Sequence, residues 1–184
     1  GYLMLWECPS LDKKKSIGVD AHSYDSPKEV IIDGQQRLTS LYAVMKGKKV
    51  INSKFDEKSI VISYCPLQNK FEVGYQATKN DPEWIYNISD LFTSTNTFKF
   101  IGDFIKKLGD YRSTKGSELT DEEQGLIADR INSVVNLKSH TLPVFDIKST
   151  AEEEDVSEIF VRVNSGGVSL KQNDFILTLS LIHI

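Results

Sequence analysis

Residues 33–37 read Asp-Gly-Gln-Gln-Arg, between an apolar β-branched run at 30–32 and a segment whose apolar residues recur at helical spacing. An acid, a glycine, two amides and a guanidinium in five positions are groups that phosphate chemistry uses. The first N–H groups of a helix lack intrahelical partners, and the aligned peptide dipoles place about half a positive charge there. A strand, a tight acid-glycine turn and a helix start therefore compose an anion site. Gly34 lets a phosphate approach the backbone, and Gln35 and Gln36 offer amide donors and acceptors. Arg37, in the first turn, opposes the dipole at an expected cost of about 0.3–1 kcal/mol. Leu38, Leu41, Tyr42 and Met45 fall at i, i+3, i+4 and i+7 and predict a buried face, with Arg37 partly desolvated on its flank. A bound phosphate would turn both features of Arg37 into assets, since guanidinium suits bidentate phosphate recognition.

Asp33 admits two roles. As an N-cap it would accept from the backbone N–H of Gln35 or Gln36 and pair with Arg37 at i,i+4, which makes the motif a capped helix start. Alternatively it would hold a divalent cation, or activate a water, beside a bound phosphate. A second polar cluster lies in "EIFVRVNSGG", residues 158–167. Arg162 stands four residues after Glu158, the favourable orientation for a helical ion pair. Gly166 or Gly167 supplies a left-handed residue to end the helix. Asn164 and Ser165 flank its apolar face, and a polar cluster there could close over a ligand held at the first motif.

The elements that must carry these residues can be read from periodicity. Strands are expected at 2–7, 17–21 and 30–32, with turn chemistry at 23–28 and a helix after residue 34 that ends at Gly47. Residues 59–64 and 71–75 alternate and are joined by "CPLQNK", a β-hairpin pattern. From Trp84 onward the chain reads as helical, with apolar residues at 100, 101, 104, 105 and 108. Thr120 with Glu123 and Ser149 with Glu152 are capping-box patterns, and Ser169 with Gln172 opens a further helix. "HTLPVFDI" is a strand whose proline assigns it to an edge or strand end. Strands and helices without a steady βαβ rhythm predict an α+β, or irregular mixed α/β, fold. One domain is expected, sheet-rich over 1–80 and mainly helical over 81–184.

Composition narrows the function classes. The 184 residues carry a net charge of −4, which argues mildly against unaided tight DNA binding. Lys46, Lys48 and Lys49 close the predicted helix, where cations suit the macrodipole, and Lys13, Lys14 and Lys15 read as a solvated loop. No apolar run approaches the ~20 residues that span a bilayer, and no signal peptide opens the chain, so a cytoplasmic location is expected. Cys8 and Cys65 have no metal-ligand spacing and read as reduced thiols, and His22, His140 and His183 are scattered without zinc spacing. The first residue is not Met, and "DFILTLSLIHI" stops inside an apolar helical pattern, so a piece of a longer protein is expected.

"VIIDGQQRLTSL" together with "EIFVRVNSGGVSLKQNDFIL" resembles the N-terminal domains of GmrSD-type restriction endonucleases, over about residues 1–180. That resemblance implies a ParB/sulfiredoxin-like core of a small mixed sheet with packed helices, plus a helical C-terminal part. It implies nucleotide binding and NTP hydrolysis (GTP, UTP and ATP are not distinguished) with a divalent cation, Mg2+. Both serve cleavage of foreign or modified DNA in phage defence. Carried over, Asp33 is the metal- or water-handling acid and Arg37 the phosphate clamp, the two forming the catalytic pair. Gly34, Gln35, Gln36, Arg162, Asn164, Gly166 and Gly167 complete the nucleotide site. Members of the family have an upstream Gln-Arg pair before the first strand and continue into an HNH-type nuclease domain, a partner expected beyond this chain. No His-Asn-His arrangement stands in the sequence. Two rival functions share the fold: a non-catalytic ParB-like switch that binds nucleotide or DNA, and sulfiredoxin-like redox chemistry. The latter needs a cysteine beside the arginine, where this chain has glutamines.

Overall fold

The computed structural model describes residues 1–7, 29–51 and 55–164. The strand expected over 17–21, the turn over 23–28 and the helix opening at Ser169 lie outside them. In chain order the elements are β1 (Leu3–Glu7), β2 (Glu29–Asp33), α1 (Gln35–Lys46), β3 (Lys49–Ile51), β4 (Glu57–Ser59), β5 (Ile62–Cys65) and β6 (Lys70–Val73). They continue through α2 (Gln76–Asn80), α3 (Ile88–Thr93), α4 (Thr97–Thr114), α5 (Asp121–Asn136), β7 (Val144–Ile147) and α6 (Glu153–Asn164). The fold is mixed α+β, with small sheets and packed helices, as the periodicities predict. The chain divides into two compact units, one drawn from Gly1–Gln35 and Leu142–Ile184, the other Gln36–Thr141.

In the first unit β1 is the middle strand of a mixed sheet ordered β2-β1-β7, antiparallel to β2 and parallel to β7. Pro143 precedes the edge strand β7, where its missing N–H costs no ladder bond, and its carbonyl accepts from the Leu3 N–H at 3.0 Å. The period-2 alternation of β1 turns Met4 and Trp6 to one face. There they form a buried cluster with Ile32, Ile147, Val156 and Phe160, so α6 lies on that face. The N-terminus of α6 differs from expectation. The Asp155 carboxylate accepts from the Glu152 N–H at 3.0 Å, which makes Glu152, not Ser149, the residue at the cap.

The second unit closes on α4 and α5, whose Ile101, Phe104, Leu108, Ile127, Ile131 and Val134 recur at helical spacing and are all buried. The Thr120–Glu123 capping box opens α5 with both reciprocal bonds made. The β5–β6 hairpin turns through residues 66–69, and Arg130 of α5 fixes it by donating to the carbonyls of Pro66 and Leu67, each at 2.7 Å. Helix α1 forms where expected but its buried face is rotated, and of the predicted set only Met45 packs, partly buried, against the core. Ala43 and Val44 are inside, while Leu41 is 42% and Tyr42 57% exposed. The helix ends against α3, where a Cβ at Gly47 would make ordinary contact with Thr93 Cγ2 at 3.6 Å. Its ending is a Schellman turn, with Gly47 at φ 61° and the Lys48 N–H donating to the Ala43 carbonyl at 2.8 Å. Only Lys46 of the basic cluster lies in the last helical turn, and Lys48 and Lys49 belong to the chain beyond it.

Candidate functional site

Strand β2 ends on Asp33, and Gly34 turns the chain at φ 97°, a conformation that L side chains rarely adopt, directly into α1. Asp33 lies opposite Met4, whereas the next pair is Leu5 with Ile31, so Ile32 is an extra residue. Directly opposed residues share a face, so this bulge puts Asp33 on the same side as buried Met4. The Gln35 side chain folds back, its Nε2 donating to the Ile31 carbonyl at 2.9 Å and bracing the turn. Two residues before Met4, Tyr2 falls on that same face by period 2.

Helix α6 brings the second motif to this end of the sheet. Strand β7 runs parallel to β1, so the chain leaves it at the far end, beside Trp6, and α6 must return. Twelve residues of helix cover about 18 Å, the length of a five-residue strand, and deliver Asn164 to the start of β1. There Asn164 Oδ1 accepts from the Tyr2 hydroxyl at 3.3 Å, and its Nδ2 donates to the Phe160 carbonyl at 2.9 Å. Asp33 thus lies at the same end and on the same face of the first unit's sheet as the Tyr2–Asn164 pair. Tyr2 stands outside both motifs, and the alternation of Tyr2, Met4 and Trp6 is the signal that places it.

Arg162 is not among them. Two positions before Asn164, about 200° around the helix, it pairs with Glu158 at 2.7 Å on the outward, exposed side of α6. This is the i,i+4 ion pair that the spacing allowed. A shallow cavity of about 380 Å³ is lined there by Thr150, Ala151, Asp155, Glu158, Ile159 and Arg162. Gly166 and Gly167 lie outside the described residues. In the second unit Gln36 and Arg37 occupy the first turn of α1, and both are exposed, so the expected desolvation of Arg37 does not occur.

The far end of the sheet carries a different cluster. Glu7, Glu29 and Asp146, on three adjacent strands, bring carboxylate oxygens within 4.8 Å of one another. Lys148 donates to Glu7 at 3.0 Å and to Asp146 at 2.8 Å, bonds that raise its own pKa. The ammonium supplies a counter-charge, and the cluster sits on the face opposite Met4 and Trp6. In the second unit burial raises the pKa of the Cys65 thiol, away from the reactive range of a redox cysteine.

A small mixed sheet that hands an acid and a glycine straight to a helix start, beside a tyrosine–asparagine pair, defines a class of α+β module built around one strand-to-helix turn. A family model described as GmrSD restriction endonuclease, N-terminal domain, matches residues 1–181, and the chain belongs to that family. It is thereby a component of a restriction, phage-defence nuclease. No curated protein and no solved structure matches the chain. None of the described helices is long and apolar enough to cross a membrane.

Proposed function

We propose that this chain is the nucleotide-binding and NTP-hydrolysing module of a modification-dependent DNA restriction nuclease, working in the cytoplasm with an HNH-type nuclease domain. The observation that carries the reading is the turn itself. Asp33, Gly34 at φ 97° and the start of α1 fall at the sheet end where Asn164 arrives on Tyr2. Helix N–H groups and the approach that Gly34 permits favour phosphate oxygens, with Gln36 and Arg37 following in the same turn. Asp33 contributes one carboxylate, which fits Mg2+, an ion usually held by one or two carboxylates plus phosphate oxygens and water. When bound, the cation would neutralise charge on the phosphates. Asp33 orients the attacking water, Arg37 binds the transferring phosphate, and Asn164, locked by Tyr2, positions the nucleotide. The assignment of the core as ParB-like is part of the same proposal.

Phosphate release from GTP, UTP and ATP, measured on the intact protein with Mg2+, tests the reading. Asp33→Ala and Arg37→Ala should each lower kcat by about 100-fold or more, the scale of removing a transition-state contact. Wild-type rates in both variants would overturn it. Nucleotide binding without hydrolysis in the wild-type protein would instead support the switch function.

A further inference from the structure

Strand β6 leaves one edge of the second unit uncovered. The β5–β6 register is unbroken, from Ile62 opposite Val73 to Cys65 opposite Lys70. Tyr64 commits both of its backbone groups to Ile85, at 2.9 and 2.8 Å, so Tyr64 and Phe71 are a non-hydrogen-bonded pair of the ladder. Three pairs along, the Gly74 N–H donates to the Val61 carbonyl at 2.8 Å, which fits the same alternation. The N–H and C=O groups of Phe71 and Val73 therefore point away from β5, and among the described residues no strand receives them. Their side chains are open as well, Phe71 at 46% and Val73 at 72% exposure. Phe71 stacks on buried Tyr64 with ring centroids 4.5 Å apart, so the apolar face of the hairpin runs out to this edge. Exposed edges are commonly blunted by a proline or a bulge, and β6 has neither.

Charge identifies what covers the edge. Lys70 and Glu72 alternate with Phe71 and Val73, and they pair with each other. A twofold axis through an antiparallel strand edge centres on one residue and sets it opposite its own copy. Centred on Lys70 or on Glu72, the axis would oppose like charges directly, which is destabilising. Centred on Phe71, it sets Lys70 opposite Glu72 of the copy twice over and closes a ring of four alternating charges. The same centre makes Phe71 a hydrogen-bonded pair, as its outward groups require, and puts the two charge pairs at the closer, non-hydrogen-bonded positions. It also aligns Tyr64, Phe71 and their copies as four rings on one face. We propose that this chain dimerises in solution by pairing β6 antiparallel with β6 of a second copy, centred on Phe71. Ile85 occupies the far side of β5, so the pairing closes at two copies. The dimer does not depend on the nucleotide-binding reading.

The test is sedimentation velocity of this chain from about 1 to 500 μM near 100 mM salt. A four-residue edge makes a small interface, so wild type should pass from monomer to dimer within that range. K70E and E72K each bring four like charges together and should raise the dimer dissociation constant about 10-fold or more. An equal mixture of the two variants should dimerise within a few-fold of wild type, because opposite charges again face each other. The double swap K70E/E72K should do the same. K106E, a charge reversal at an exposed α4 position, should match wild type. Recovery on mixing also shows that both single variants are folded. A wild-type chain that stays monomeric throughout, a dimer that K70E and E72K leave at full strength, or no recovery in both the mixture and the swap would overturn the proposal.

Discussion

Two residues of the Asp-Gly-Gln-Gln-Arg run illustrate how a side chain's conformation and its exposure separate fold from function. Gly34 is buried at φ 97°, where any Cβ-bearing residue is strained. Gly34→Ala should therefore cost about 1–3 kcal/mol, read as a lowered urea midpoint, and an unchanged midpoint would show that the turn relaxes freely. Arg37 behaves otherwise. Its side chain is exposed, so water screens it against the helix dipole, and Arg37→Ala should leave stability within about 0.5 kcal/mol of wild type. A variant that loses hydrolysis while melting like the parent assigns the arginine to chemistry. Acid, glycine and helix start were legible because they are contiguous and each has a local backbone consequence. Tyr2 was legible only as a member of an alternating strand, and its bond to Asn164, 162 positions away, has no local signature.

At the level of elements, capping shows what a short pattern decides. Thr120 and Glu123 exchange both bonds of the box, the Thr120 N–H to Glu123 at 3.0 Å and the Glu123 N–H to Thr120 at 3.2 Å. Thr120→Ala should cost about 1 kcal/mol in equilibrium unfolding. The Thr120 N–H, more than any other group, holds the Glu123 carboxyl below its usual 4.5, with Arg112 at 2.9 Å assisting. A carboxylate whose folded pKa is lowered stabilises fully above its unfolded value and loses that contribution as pH falls through the folded one. Wild-type melting temperature should accordingly fall more steeply below about pH 4.5 than that of Glu123→Gln, and parallel curves would deny the carboxylate this role. The same pattern misled at α6, because Ser149–Glu152 and Glu152–Asp155 overlap and only packing of Val156 and Phe160 sets which one caps. Helix α1 misled differently. Its richest apolar face is Leu38, Leu41, Tyr42 and Met45, but amphipathy does not say which neighbour a helix meets. The ribbon β3–β4 was invisible because "KVI" and "EKS" carry no alternation.

Over the whole molecule, organisation depends on pairings that no local window contains. Strand β1 bonds to β7 about 140 residues later, so the first unit closes only when distant segments of chain meet. Each unit has its own core, and the two clusters share no residue: Met4, Trp6, Ile32, Ile147, Val156 and Phe160 in one, Leu108, Ile127, Ile131 and their neighbours in the other. Met4 and Leu108 are both fully buried, so truncating either to alanine should cost about 2–5 kcal/mol. Substitutions that share no packing partners add, whereas those within one core couple through the cavity they enlarge together. The double variant M4A/L108A should therefore match the sum of its singles within about 0.5 kcal/mol, and L108A/I131A should depart from its sum by about 0.5–3 kcal/mol. Trp6 lies in the first unit and Trp84 in the second, so tryptophan fluorescence in urea, repeated with Trp84→Phe, follows each unit by its own reporter. Coupling between Met4 and Leu108 as large as that between Leu108 and Ile131 would mean that the two clusters respond as one core.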